Sequence, residues 1–407
     1  VRARRSLTLS VAAAACWWAA GAAAADPDLG AALDAAQGAD VVLFELPAAA
    51  GAPRVRAATL ARASPAAIAG VLLDPAHYRA FIPALVRSEA VPSATPGERI
   101  VSWELEVPLF NLKGRLALRP RPDGVEMRLI DGDLAPGRVI FTAAARPDGH
   151  ALVTIDAQVD VRRSNFFVRR TIARSPVGEP AALGAAAWVA LRATALRAEH
   201  AGQPEAWRPT APPGSPARDA GTPDPRLLAE PSFAPLRARG VAALVGRAPS
   251  ERLAGVAVAV TLPGSPATSA TWLRDPRSWH AFPGWRTVRL LPAPLGAPPS
   301  AEVQDGIPFV DFDATWTGQP SRPQSLRWTA TGGATTGARL GWDLYPAPAA
   351  GATPGGTVAV LSLYPRLERT GFVARRTIAA EPLFEHGLAL ALAFVDAVGV
   401  KVAQGAR

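Results

Sequence analysis

The five histidines, His77, His150, His200, His280 and His386, are the side chains best suited to acid–base or metal chemistry near neutral pH, yet their spacing serves neither. No two of them share a helical turn with a carboxylate beside them, which is the pattern a zinc site requires. His77 and His280 sit in similar stretches, "DPAHYRAF" and "DPRSWHAF", but aligning those stretches puts His77 opposite Ser278. A histidine shared as a catalyst is therefore not expected, and neither a metal nor a cofactor is called for. Glu381, Glu385 and His386 cluster on what reads as a helix, and the expectation is that they form a solvated face. The single cysteine, Cys16, leaves the rest of the chain without a disulfide or a thiolate metal site.

The most suggestive polar groups are two arginine pairs. "RRTIARSP" runs from Arg169 to Pro176 and "RRTIAAEP" from Arg375 to Pro382, 206 residues later. A guanidinium pair can hold a carboxylate, a phosphate or a lipid head group. Arg169, Arg170, Arg375 and Arg376 are therefore candidate head-group contacts, against the plainer reading that they lie on an exposed helix face. Their repetition is not isolated. At an offset of 201, Ala39–Ile82 lies on Gly240–Pro283 without a gap, which matches Asp74 with Asp275, Pro75 with Pro276, Tyr78 with Trp279 and Phe81 with Phe282. Two blocks in the same order, with a net insertion of five residues between them, point to two copies of one unit.

At 407 residues the chain has room for two such units, each able to bury its own core. Between them, "AGQPEAWRPTAPPGSPARDAGTPDP" has no apolar period and reads as an extended linker. The expected organisation is a signal peptide over 1–25, domains over 27–200 and 230–407, and a linker over 201–229. Arg2, Arg4 and Arg5 precede an apolar run from Leu7 to Ala20, and small residues follow up to Ala25. That layout predicts export to the periplasm with cleavage near Ala25. An uncleaved anchor is less favoured, as is a lipid on Cys16, where Trp17 and Trp18 crowd the site. Val1 suits an alternative bacterial start codon, and no later segment reads as long and charge-free enough to span a bilayer. The net charge of +9 is almost entirely scattered arginine, not interleaved with aromatic residues, so a nucleic-acid partner is not expected. Weak peripheral contact with an anionic membrane remains compatible with it. Oligomeric state is not legible.

Within the first copy the expected order is strand, helix, short helix, a meander of strands and a long terminal helix. Ser64 caps a helix that starts at Pro65 and stops at Asp74-Pro75. The runs "RIVSWELEVPL", "GRLALRP", "GVEMRLID", "RVIFTAAA" and "ALVTIDAQVDV" alternate like strands, and "RPDG" occurs twice as a turn. Ser164, with Thr370 as its counterpart, caps the terminal helix, which is interrupted near Pro176.

"ASPAAIAGVLLDPAHYRAFIPALVRSEAV" (Ala63 to Val91) and "FFVRRTIARSP" resemble the START-like, or SRPBCC, superfamily, in particular its polyketide cyclase/dehydrase and coenzyme Q-binding branch. In the second copy the resemblance rests on "GSPATSATWLRDPRSWHAFPGW", where Trp279 replaces the tyrosine and Gly284 follows Pro283. The middle strands around "TATGGATTGARLGW" depart from it. The resemblance implies an α+β fold of two helix-grip domains, each a curved antiparallel sheet wrapped around a long C-terminal helix. It also implies a cavity between sheet and helix that takes lipids, quinones or polyketides.

Alternation along each strand divides it into two faces. Val101, Trp103 and Leu105 oppose Ser102, Glu104 and Glu106. Met127 and Leu129 oppose Glu126 and Arg128, and Val153 and Ile155 oppose Thr154 and Asp156. The expected cavity lining is Val101, Trp103, Leu105, Met127, Leu129, Phe141, Val153, Ile155 and Phe166, with Phe312, Leu361, Leu363 and Phe372 in the second copy. Phe166 and Phe372 would also anchor the terminal helices. This face offers no acid–base pair, so the expected function is non-catalytic binding, or transfer, of a hydrophobic small molecule or lipid. A cyclase or aromatase-like enzyme is the alternative that the family suggests, although export and the missing dyad count against it. A structural module with a solid core is the other.

Overall fold

The computed structural model describes residues 27–46, 51–82, 84–93, 95–107, 110–164, 169, 177–201, 222–248, 251–281, 285–292, 297–307, 310–348, 355–367, 375, 378 and 381–405. The first eight strands are β1 Asp40–Glu45, β2 Arg54–Ala61, β3 Leu85–Val91, β4 Arg99–Val107, β5 Phe110–Arg121, β6 Gly124–Gly132, β7 Gly137–Ala145 and β8 Ala151–Val159. The next eight are β9 Val241–Arg247, β10 Leu253–Leu262, β11 Trp285–Leu290, β12 Ser300–Ile307, β13 Val310–Gln319, β14 Ser325–Gly333, β15 Arg339–Pro346 and β16 Thr357–Tyr364. Helices are α1 Leu29–Ala35, α2 Pro65–Leu72, α3 Gly178–Glu199, α4 Ala234–Arg239, α5 Pro266–Arg274 and α6 Leu383–Gly405.

Among the described residues sixteen strands form one antiparallel sheet in the order β11-β12-β13-β14-β15-β16-β10-β9-β1-β2-β8-β7-β6-β5-β4-β3. Read outward from the middle, the two halves follow the same path. β1-β2-β8-β7-β6-β5-β4-β3 on one side matches β9-β10-β16-β15-β14-β13-β12-β11 on the other. The halves meet where β1 pairs antiparallel with β9, with Val42 opposite Ala243. Since the sequence offset of 201 makes Ala243 the counterpart of Val42, a local two-fold relation passes through that pair.

"VVLF" in β1 and "VAALV" in β9 are apolar on both faces because both faces are covered. On one side lie Val42, Phe44, Val241, Ala243 and Val245, in a core continuous with α3 and α6. On the other, Val41, Leu43, Ala242 and Leu244 pack against Leu29 and Leu33 of α1 and against Leu228, Phe233 and Leu236. Leu227 and Leu228, assigned by composition to the linker, are thus buried in this second core. α6 is by length and composition apolar enough to cross a membrane, which corrects the expectation that no later segment is. Here most of it is buried inside the protein.

Local chemistry repeats with the topology. Ser64 Oγ accepts from Ala67 N at 3.1 Å and Ser265 Oγ from Thr268 N at 3.2 Å, each ahead of a proline at the first helical position. Each of these helices gives way at an Asp-Pro to a short 3₁₀ turn, Pro75–Ala80 or Pro276–Ala281. Tyr78 Oη then donates to the Leu72 carbonyl, and Trp279 Nε1 donates to the Leu273 carbonyl at 3.1 Å. The middle strands, which looked dissimilar, share a bulge between β5 and β6 and between β13 and β14. Gly132 (φ 94°) and Gly333 (φ 83°) close these bulges. A Cβ would come within 2.2 Å of the Lys113 carbonyl oxygen at one and 2.5 Å of the Asp313 carbonyl oxygen at the other, so glycine is required at both.

Candidate ligand-binding site

The strand faces of the first half divide as alternation predicts. Val101, Trp103, Met127, Phe141, Val153 and Ile155 are buried in the helix-facing core with Leu183, Ala187 and Leu191 of α3, while Leu105 and Leu129 pack half-buried against it. Asp156 and Glu126 lie on the opposite face with arginine partners, and Glu104 Oε1 accepts from Asn111 Nδ2 at 2.7 Å. Asp156 Oδ1 accepts from Arg54 Nε at 2.8 Å, and Glu126 accepts from Arg138 Nε at 2.9 Å and Arg128 Nε at 3.0 Å. Hydrogen bonding by Arg138 above all keeps the Glu126 carboxyl below the usual range.

One polar atom stands out in this apolar wall. The indole Nε1 of Trp103 is buried and has no hydrogen-bond partner among the described residues. Buried indole N–H groups normally find an acceptor. The ring is held in place by close packing on Gly114, where a Cβ would lie 2.9 Å from Trp103 Cζ2.

In the second half Phe312, Leu361 and Leu363 occupy the matching core. Phe312 and Leu363 also line a partly open cavity of about 30 Å³ between the sheet and α6, together with Trp316, Leu340, Leu367, Leu392, Thr335 and Asp396. Asp396 is 2% exposed. Arg169 and Arg375 are helical and exposed, while Phe166, Arg170, Phe372 and Arg376 lie outside the described residues.

Away from the strand faces considered for the cavity, ionisable groups are buried at the junction of the halves. Asp40, at the start of β1, accepts from Thr59 Oγ1 (2.6 Å), Trp188 Nε1 (3.0 Å) and Arg247 Nε (3.0 Å) and Nη2 (3.1 Å). Glu251 accepts from both arms of Arg192, at 2.9 and 2.7 Å, and from Arg247 Nη1 at 2.8 Å. Burial opposes the charge on Glu251, but Arg192 and Arg247 outweigh it and hold its carboxyl below the ordinary value. The solvated face expected for Glu381, Glu385 and His386 is likewise overturned, since all three are buried. α3 packs across that side of α6, and Trp188 stacks on His386. Burial above all, reinforced by Arg247, pushes the imidazole down to about 4, so it is neutral at pH 7. Asp40, Arg192, Arg247 and Glu251 were missed, and the helix cluster misplaced, because patterns within one half cannot report on a contact made with the other. The hydrogen bonds among Asp40, Arg192, Arg247 and Glu251 make those four a structural lock between the halves.

No family model matches the chain, and no curated protein does. Among solved structures it is similar to TTHA0849 from Thermus thermophilus, with 12% identity over 37% of this chain and 100% of that one, at a TM-score of 0.32. It is similar to the di-domain ARO/CYC StfQ from the steffimycin biosynthetic pathway, with 10% identity over 83% of this chain and 97% of that one, at 0.28. The human StarD13 (DLC2) lipid transfer and protein localization domain shows 12% identity over 48% of this chain and 98% of that one, at 0.31. This chain's own architecture is α+β, with a large antiparallel sheet and a long C-terminal helix.

Proposed function

We propose that the chain is a tandem duplication of a START-like, SRPBCC-type unit that binds a hydrophobic small molecule or lipid between sheet and terminal helix without converting it. Binding takes place at least in the first half. In this reading residues 1–25 direct export, the ligand is handled in the bacterial envelope, and contact with the membrane is peripheral. The arginines at Arg169, Arg170, Arg375 and Arg376 are candidates for meeting a head group.

The observation that carries the reading is the Trp103 indole, an unmet donor fixed in an otherwise apolar wall. A ligand with an apolar body and one carbonyl or ether oxygen satisfies it and gains about 25 cal/mol for each Å² of apolar surface removed from water. The Trp103 indole resonance in a ¹⁵N-labelled sample tests this. Titration with a mixed lipid extract moves it downfield if an acceptor arrives, and Trp103→Phe lowers affinity by roughly three- to tenfold, as expected for one hydrogen bond. An indole signal unmoved by any fraction of the extract defeats the reading.

A further inference from the structure

We infer that the cavity beneath α6 selects an apolar ligand carrying one hydrogen-bond donor, an amine or a hydroxyl, and that the Asp396 carboxylate receives it. The inference rests on the proposed binding between sheet and terminal helix, and it adds a second site of opposite polarity to that of Trp103.

Four observations carry it. Asp396 is the one ionisable side chain among the described residues that line this cavity, whose other walls include Phe312, Trp316, Leu340, Leu363 and Leu392. Burying a carboxylate in such surroundings is costly even where a donor from the protein meets it, so its presence asks for a reason. From Ala389 to Val400 all the other residues of α6 are apolar or glycine, so fold alone would be served by alanine or leucine here. The first half supplies that comparison, because at the offset of 206 the counterpart of Asp396 is Ala190 on α3. The volume, about 30 Å³, suits a group the size of one water, such as an ammonium or hydroxyl head, and the open side gives the apolar tail an exit. An ionised carboxylate facing an ammonium makes a charge-assisted bond, so the amine should hold most tightly.

Trp316 lines the same cavity, and its indole resonance, assigned with Trp316→Phe, reports occupancy of this site alone. The full chain is titrated with decylamine, 1-decanol, decyl methyl ether and decanoate below their micellar concentrations. The amine and the alcohol are expected to bind about tenfold more tightly than the ether, with decanoate weakest. In Asp396→Asn the advantage of the amine falls below about threefold while the ether is unchanged. Equal affinity for amine, alcohol and ether in the unaltered protein overturns the inference without any variant, and leaves apolar binding standing. Silence of both the Trp316 and the Trp103 resonances toward all four probes overturns the inference together with the reading beneath it.

Discussion

Trp188 of α3 lies flat on His386 of α6, with ring centroids 4.9 Å apart and planes 17° from parallel. This contact joins the two halves through their terminal helices and makes stability depend on acid. Folding lowers the pKa of His386, so the stabilisation is complete above the unfolded value of 6.5 and is lost as pH falls toward about 4. Urea denaturation at pH 7 and pH 4.5 should show a loss larger in the unaltered protein than in His386→Leu by roughly 2–3 kcal/mol.

The junction lock predicts a second effect. Glu251 neutralises Arg192 and Arg247, whose side chains are only 3% and 13% exposed. Glu251→Gln leaves Arg247 facing Asp40 and Arg192 facing Glu199 but removes the charge they share, and should cost about 1.5–3 kcal/mol. Glu302→Ala, which breaks the exposed pair with Arg289, should cost less than about 1 kcal/mol by the same assay.

Two glycine-to-alanine changes should differ in sign. A Cβ on Gly184 would lie 2.0 Å from Phe44 Cε1, where α3 crosses β1, so Gly184→Ala should destabilise by about 1–3 kcal/mol. Gly70, in exposed α2, has nothing within 4 Å of such an atom, and Gly70→Ala should be neutral or stabilise by up to about 1 kcal/mol. Thermal melts of the two variants side by side check this.

Tyr78 and Trp279 perform one task with different atoms, each closing a 3₁₀ turn onto the carbonyl six residues earlier. Tyr78→Phe should cost about 1 kcal/mol, and Tyr78→Ala or Trp279→Ala about 3–5 kcal/mol, measured by denaturation. Similar losses at the two positions are expected if they are equivalent.

Features held within a dozen residues were legible in the sequence. The Ser64 cap, the Asp74-Pro75 break and the alternating faces around Trp103 and Met127 follow from short-range rules, and the structure has them. What could not be read depends on contacts across roughly two hundred residues. Nothing in "DVVLF" says that its edge pairs with β9, and nothing in "EPLFEH" says that α3 covers it. Asp396 went unnoticed because attention to strands leaves out what a terminal helix turns toward them. The bulge glycines Gly132 and Gly333 stand at matching positions of the two halves but lie in stretches whose side chains differ.

Native mass spectrometry of the intact protein, purified from its own cells without detergent exchange, bears most directly on whether the sheet–helix interior holds a hydrophobic guest. The account predicts a bound lipid or small apolar molecule that is released on unfolding and is depleted in Trp103→Phe. Protein that emerges empty under gentle ionisation, and stays empty after incubation with the total lipid of those cells, would contradict it.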